Sequence, residues 1–278
     1  DWPSGLIGWA NDVDALIESV REDIPEPTNR LTKLWDEYQG NLIQIRSIKP
    51  DPECEYDGQP ASGESRTSQY GPYLTTTWGQ GSGYNDALTD MNCREYVNGR
   101  PPVGCTSVAV AQVMRYHQKP SSIKWSEMSI GAAVLQNFLS TIGHSLNADY
   151  QCSGTEANLA DVPALLKQTY GYGSSTLSNF NVNTVISEVS SGFPVIIHSE
   201  DSNTNGAHHW VCDGVQLVYF PYCQGEGNNL HIVMTLDSKY LHMNWGWDGL
   251  YDGWYNYNAW YPGSHVYDSN KFMLSVRP

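Results

Sequence analysis

The chain has 278 residues, 40% of them hydrophobic and 12% aromatic, so it is long and apolar enough to bury a sizeable core. Thirty Asp and Glu against 15 Lys and Arg give a net charge of −15, which excludes a nucleic-acid binder or a basic membrane clamp. The apolar runs are too short to span a bilayer. No signal peptide stands at Asp1, so we expect any export signal to have been removed already.

Residues 1–66 are predicted to form a helical N-terminal segment that ends in a linker. Apolar residues recur at steps of three and four, which predicts an amphipathic helix followed by a second, shorter one. Their apolar positions are Leu6, Trp9, Val13, Leu16, Ile17, Val20 and Ile24, then Leu31, Leu34, Trp35 and Tyr38. Residues 50–68 are rich in Pro, Gly, Ser and acidic residues, which is typical of a linker or an exposed loop.

Residues 67–278 are predicted to form a single α+β domain. Apolar periodicity predicts helices over residues 105–117, 162–170 and 182–190. After Gly192 the pattern changes to strands, over residues 194–197, 209–213, 215–219, 231–236 and 240–244. The short turns between these strands contain Gly and Asn, so we expect an antiparallel sheet in the second half of the chain.

The six cysteines are Cys54, Cys93, Cys105, Cys152, Cys212 and Cys223. None forms a CxxC pair, and no Cys/His spacing matches a zinc site, so no metal is expected. An even cysteine count in an acidic, aromatic-rich chain favours an exported protein with disulfides. If Cys105 is a free thiol, at most two disulfides can form, and the pairs we predict are Cys212–Cys223 and Cys54–Cys93.

Cys105 stands at the start of a predicted helix, directly after Gly104. Free backbone N–H groups and the helix dipole stabilise a thiolate at such a position, and the same groups can bind an oxyanion. Gly104 lets a substrate backbone approach closely. These features favour a nucleophile, and a small buried structural cysteine is the alternative.

The doublet His208–His209 precedes an apolar strand and offers a base for this thiol. Alternation along the strand puts His208 on the same face as Trp210 and Cys212. His209 shares the opposite face with Val211. The residues alone leave the choice between the two histidines open, and a surface histidine pair at a strand start is the structural alternative.

Three further residues complete a candidate catalytic set. At the end of a predicted strand, Asn244 can accept a hydrogen bond from an imidazole, and Trp245 can shield that bond from water. Gln80 lies in a glycine-rich loop, where its side-chain amide can serve as an oxyanion donor. The chain order Gln, Cys, His, Asn is that of papain-like cysteine peptidases. The interval from Cys105 to His208 (208 − 105 = 103 residues) is shorter than the roughly 130–150 residues of papain itself.

From about Tyr73 to its end, the chain resembles the streptopain family of bacterial cysteine peptidases. The similar segments are residues 77–85, 104–120, 194–195, 208–214, 242–249 and 252–253. The resemblance implies a papain-like fold, in which a helical part presents the nucleophile and an antiparallel sheet presents the base. No metal or organic cofactor is implied.

The resemblance also assigns roles to single residues. It implies Cys105 as the nucleophile, and His208 rather than His209 as the base, because one residue separates the family's histidine from its aromatic-Val-x-Asp-Gly strand. It implies Asn244 as the group that orients the base and Trp245 as its shield. It further implies an oxyanion hole made by Gln80 and the backbone N–H of Cys105.

The family is made as zymogens, so residues 1–66 resemble the tail of a propeptide, with a retained helix pair as the alternative. The first predicted helix is a candidate to cover the Cys105 cleft as an inhibitor. Three departures from the family stand out: a long stretch between Gly214 and Leu241, His209 in place of a small residue, and His198 in place of a polar residue that contacts substrate.

Three functions are compatible with these observations. The first is an exported cysteine endopeptidase, secreted, periplasmic or on the cell surface, that hydrolyses protein or peptide substrates through a thiolate–imidazolium pair and a thioacyl-enzyme. The second is amide transfer or deamidation by the same catalytic set. The third is a non-catalytic adhesin or glycan-binding module, because 10 Trp and 18 Tyr can form stacking platforms, although a large antiparallel core uses them equally well.

Overall fold

The computed structural model describes residues 53–204 and 206–278, and the two predicted N-terminal helices lie outside this part of the chain. The described residues fall into two compact units. One unit contains residues 53–63 and 221–233, and the other contains residues 64–220 and 234–278. Within the described ranges, no helix is long and apolar enough to cross a membrane. The division at residue 66 stays a prediction.

The helices of the larger unit all precede its long strands. They are α1 (Cys105–His117), α2 (Ala133–Ser145), the short α3 (Val162–Ala164), which continues as a π-helical turn over Leu165–Thr169, and α4 (Val182–Ser190). Short 3-10 turns lie at Trp125–Glu127, Leu159–Asp161 and Gly227–Asn229. The predicted bounds of α1 and α4 are confirmed. In α1 every residue from Thr106 to Met114 is buried, as expected of a helix that is apolar on several sides.

Strands dominate the later part of the chain, although the first four lie before or among the helices. They are β1 (Arg66–Tyr70), β2 (Asp149–Gln151), β3 (Gly154–Glu156), β4 (Ser174–Asn179), β5 (Val195–Asp201), β6 (Ala207–Gln224), β7 (His231–Asn244), β8 (Gly253–Asn256) and β9 (Tyr267–Arg277). The main sheet has the order β4-β9-β5-β6-β7-β8, with β1 paired to β6, and β2 pairs only with β3. The predicted α+β class is confirmed. Two pairs of predicted short strands are in fact the long strands β6 and β7, and β1 begins inside the predicted linker.

The sheet separates two hydrophobic clusters, and strand alternation decides which residues join each cluster. Ile196 of β5 and Val211 of β6 pack with the buried residues of α1 and α2. Val195, Ile197 and Trp210, one position away, pack in the second cluster with residues of α4. The face of β6 that contains Val211 therefore faces the helix that begins at Cys105.

The disulfides differ from both predicted pairs. Cys54 bonds to Cys223, and Cys93 bonds to Cys152. Cys105 and Cys212 are free, which agrees with the limit of two disulfides. Cys212 and Cys223 lie on the same strand, β6, and an extended backbone holds them too far apart to bond.

The Cys54–Cys223 bond predicts that the N-terminal segment stays attached after a cut in the exposed residues 62–65. A site-specific protease sequence inserted between Gly63 and Glu64 provides that cut. Mass spectrometry under denaturing conditions should then find a single species of full mass plus one water without reductant. Two fragments should appear once a thiol reductant is added.

The double variant Cys54→Ser, Cys223→Ser is the control, and it should release two fragments in either condition. Release of the fragment from the unsubstituted cysteines without reductant would contradict this connectivity.

Candidate active site

The thiol of Cys105 lies at the first turn of α1, where the sequence places it. Gly104 precedes it with φ 90, a left-handed conformation that favours glycine. A Cβ on Gly104 would lie 3.0 Å from Cγ2 of Thr155, so the helix start packs tightly against β3. The first backbone N–H groups of α1 have no partner inside the helix.

His209 is the histidine that contacts this thiol. Its Nδ1 lies 3.5 Å from Cys105 Sγ and 2.9 Å from the hydroxyl oxygen of Thr106. Its Nε2 lies 2.9 Å from Nδ1 of His198, the residue directly opposite on β5. The structure therefore brings together Cys105, Thr106, His209 and His198, of which sequence reasoning assigned a catalytic role to Cys105 alone.

His208, the base predicted from the motif, points to the other face of β6. Its Nε2 donates a hydrogen bond to the backbone carbonyl of Trp245 at 2.8 Å. Its ring lies among aromatic rings, with centroids 4.6 Å from Trp247 and 5.8 Å from Tyr267. In the structure His209 rather than His208 contacts the thiol, because the two point to opposite faces of β6 and α1 packs on the face of His209. The role of His208 as the base stays a prediction.

Asn244 has other partners than the predicted imidazole. Its Oδ1 accepts from Gln112 Nε2 at 2.9 Å, and its Nδ2 donates to the carbonyl of Thr76 at 2.7 Å. These bonds tie the end of β7 to α1 through Gln112 and to the loop at Thr76. The carbonyl of the next residue, Trp245, occupies the acceptor position that we predicted for the Asn244 side chain, and a backbone acceptor has no signature in the sequence.

Trp245 contacts His208, and the backbone of Gln80 is bonded next to the start of α1. The ring of Trp245 is fully buried and stacks on His208, with centroids 6.2 Å apart and planes 18° apart. Its role as a shield of the catalytic base stays a prediction. The backbone carbonyl of Gln80 accepts from the N–H of Val103 at 2.9 Å, which holds the glycine-rich loop beside the start of α1. The oxyanion role of the Gln80 side chain stays a prediction.

Burial sets the protonation of the thiol and its neighbours. It raises the pKa of Cys105, against the partial opposition of hydrogen bonds from the backbone of His209 and from Thr106. Burial, together with the nearby His198 and His208, holds the pKa of His209 well below its usual value. Both directions favour a neutral thiol beside a neutral imidazole before substrate binds.

A cleft of about 480 Å³ opens in front of the thiol. Its lining includes residues 155–160 together with His198, His209 and Phe272. Cys105 belongs to this lining and is partly exposed, so the cleft gives a ligand access to this residue.

The turn that leads into the histidine doublet is held by Asp201, at the end of β5. Asp201 is 1% exposed, and its carboxylate accepts from His265, Thr204 and the backbone N–H groups of Asn203 and Val266. Burial opposes its charge, but these hydrogen bonds outweigh burial and lower the pKa of Asp201 to about 2. The same bonds connect the turn to the residues before β9.

Asp201→Asn should destabilise the fold by about 2 kcal/mol at neutral pH, the free energy of a pKa difference of nearly two units. A lowered pKa contributes stability that is present above the unfolded pKa near 4 and is lost as the pH falls toward 2. Urea unfolding at pH 7 and pH 3 should therefore show a smaller gap between the two proteins at pH 3. Asp268→Asn, an exposed aspartate, is the control, and a gap independent of pH would contradict the assignment.

Comparison with known proteins assigns the chain to a family. The model of the Peptidase C10 family matches residues 78–135 and 126–255, which together cover more than half of the chain and include Cys105, His209 and Trp245. The chain belongs to the Peptidase C10 family. The predicted resemblance to streptopain is thereby confirmed.

Individual relatives of the C10 family are distant in sequence. Streptopain from Streptococcus pyogenes serotype M28 (strain MGAS6180) is 22% identical over 218 residues, which cover 62% of this chain and 49% of that protein. Streptopain from serotype M1 is 21% identical over the same length. The chain thus spans about half the length of the curated relatives that it matches.

The fold is also that of a solved cysteine protease structure. Active wild-type interpain A, a cysteine protease of Prevotella intermedia, matches with a TM-score of 0.59 at 21% identity, over 82% of this chain and 98% of that chain. At this identity the likeness concerns the fold. The predicted papain-like α+β fold is confirmed.

Proposed function

We propose that this protein is a cysteine endopeptidase that hydrolyses protein or peptide substrates with Cys105 as the nucleophile. The observation that supports it best is the 3.5 Å contact between Cys105 Sγ and His209 Nδ1 at the start of a helix. A thiol, an imidazole and unpaired helix N–H groups are the parts that acyl transfer to sulfur requires. Membership of the C10 family supports the same chemistry.

The first half-reaction transfers the acyl group to sulfur. Nδ1 of His209 takes the proton of the thiol, and the thiolate attacks the peptide carbonyl carbon. The resulting oxyanion accepts hydrogen bonds from the Cys105 N–H and from Gln80, the predicted second donor. The imidazolium then gives its proton to the amide nitrogen, the C–N bond breaks, and the amine leaves a thioacyl-enzyme.

The second half-reaction returns the free thiol. His209 takes a proton from a water molecule, which attacks the thioester carbonyl and displaces the sulfur. Because burial favours the neutral pair at rest, the thiolate–imidazolium pair forms when substrate enters rather than before. We expect a bell-shaped pH profile for kcat/KM, bounded by protonation of the imidazole and by loss of the shared proton.

His208 supports this site from behind in our proposal. The bond to the Trp245 carbonyl holds the His208 ring among its aromatic neighbours and fixes the strand that presents His209. Asn244 ties the same strand end to α1. Both residues then position the catalytic pair without touching the thiol.

Export and processing complete the proposal. Two disulfides support an oxidising compartment, outside the cytoplasm. We propose that residues 1–66 are the remnant of a zymogen's propeptide, and the Cys54–Cys223 bond supports its retention after a cut. Its action as an inhibitor would appear as faster turnover after reduction of a chain that has been cut at residues 63–64.

The rival functions have less support. Amide transfer and deamidation use the same residues, so they are separated only by their products. The glycan-binding alternative needs exposed aromatic platforms, but among the described residues Trp78, Trp125, Trp210, Trp245 and Trp260 are all buried. The tryptophans of the described chain serve mainly as core.

Mass analysis of the products tests the function. An unfolded protein substrate should yield internal peptides, each cut adding one water, and the Cys105→Ala protein should yield none. A mass change of one unit without chain cleavage would identify a deamidase, and trimming from the ends alone would identify an exopeptidase.

A further inference from the structure

Three neighbouring strands align their side chains in a row that ends at the thiol. Phe272 of β9 lies opposite His198 of β5, and His198 lies opposite His209 of β6. The rings are in contact, with centroids 5.7 Å apart for Phe272 and His198 and 4.7 Å apart for His198 and His209. His198 thus occupies the side of the His209 ring that faces away from Cys105.

The 2.9 Å contact of His198 Nδ1 with His209 Nε2 requires one hydrogen between the two nitrogens. When His209 holds the thiol proton, both of its nitrogens are protonated. Its Nε2–H must then donate, so Nδ1 of His198 must accept. The state that reacts therefore needs His198 neutral, with its own proton on Nε2.

We propose that His198 is a positioning residue of the peptidase reaction, whose Nδ1 accepts the Nε2–H of His209 and stabilises the imidazolium formed with the Cys105 thiolate. This inference rests on the proposed function for its catalytic meaning. His198 thus has the role that sequence reasoning gave to Asn244, and it acts from a different strand.

The surroundings of the pair are consistent with a neutral acceptor. Burial lowers the pKa of His198, and Glu200 on the same strand opposes that shift. The other titratable or polar groups near the pair are Cys105 and Thr106 of α1, Glu156 in the cleft lining, and His208, whose charge acts on His209 from the opposite face of β6. Protonation of His198 would place two N–H groups against each other and break the bond, so the ion pair should weaken as the pH falls.

Two substitutions of nearly equal shape isolate the acceptor. His198→Asn places Oδ1 where Nδ1 stands, and His198→Leu removes the acceptor and keeps the volume. The readout is the rate of Cys105 alkylation by iodoacetamide between pH 4 and pH 9, followed by kcat and KM on a peptide. His144→Leu, the same change on the exposed face of α2, is the control. Thermal unfolding verifies that each variant is folded.

We expect His198→Leu to reduce alkylation at neutral pH and kcat by about tenfold to a hundredfold, the scale of a hydrogen bond to a charged group. The alkylation rate and kcat of His198→Asn should stay within about threefold of the values for the unsubstituted protein. The acid limb of its pH profile of alkylation should move, because Asn does not titrate. The inference would be overturned if His198→Leu had the same alkylation rate and kcat as the unsubstituted protein. It would also be overturned if His198→Leu and His198→Asn lost both to the same extent. Peptide cleavage that survives in Cys105→Ala would overturn the proposed function instead, since alkylation reports on the native thiol without any substrate.

Discussion

Replacement of Cys105 by alanine should reduce peptide hydrolysis by at least about a thousandfold, the order of loss when a covalent nucleophile is removed. Without Sγ no thioacyl-enzyme can form, and His209 has no proton to take. The substitution leaves α1 unchanged, because alanine is a good helix former and Cys105 forms no disulfide. The thermal midpoint and the tryptophan fluorescence should therefore stay close to those of the unsubstituted protein.

The measurement combines turnover with site-resolved labelling. An epoxysuccinyl inhibitor of cysteine peptidases should modify Cys105 alone, and peptide mapping should find no label on the alanine protein. Cys212, the other free thiol, is fully buried and should remain unlabelled in both proteins. Full hydrolysis by Cys105→Ala would mean that another residue of the chain is the nucleophile.

His209→Phe should lower kcat by about a hundredfold to ten-thousandfold, the range for loss of a general acid–base group. Phenylalanine keeps the ring volume and removes Nδ1, so the thiol loses the acceptor that lies 3.5 Å away. His208→Phe is the matched variant on the neighbouring position. It retains the stacking among aromatic rings but loses the 2.8 Å bond to the Trp245 carbonyl, so it should lower stability more than kcat.

The two histidine variants test whether the base is His209, which contacts the thiol, or His208, which the family motif assigns. Loss of kcat in His209→Phe with a folded, active His208→Phe would establish His209 as the base. The opposite result would mean that His208 takes the thiol proton, as the family motif predicts, and it would also remove the catalytic meaning of His198. The thermal midpoints of both proteins separate a chemical effect from unfolding.

Local sequence patterns were enough to predict the fold class and the helix that begins at Cys105. The helix from Cys105 to His117 was predictable because a buried apolar run follows Gly104 directly. The alternation around Trp210 and Val211 predicted correctly which side chains share a face of β6. These features are local, since helix starts and strand faces depend on the nearest residues in the chain.

Tertiary structure alone decided how distant residues meet at the site. Side-chain alternation along β6 predicts that His208 and His209 point to opposite faces. Only the packing of α1 on the sheet determines that the face of His209 lies against Cys105. The partner of His209 is His198, through a β5–β6 register that no local pattern encodes. The Trp245 carbonyl, a backbone group present in every residue, is equally invisible to a search for side-chain motifs.

For the disulfides, too, the sequence predicts one property and the tertiary fold decides another. The limit of two bonds follows from the cysteine count once Cys105 is taken as a free thiol. The pairs Cys54–Cys223 and Cys93–Cys152 depend on which loops the fold brings within about 6 Å, and spacing along the chain does not contain that distance. Sequence therefore determined the chemistry available to this protein, and tertiary contacts decided which of its groups meet.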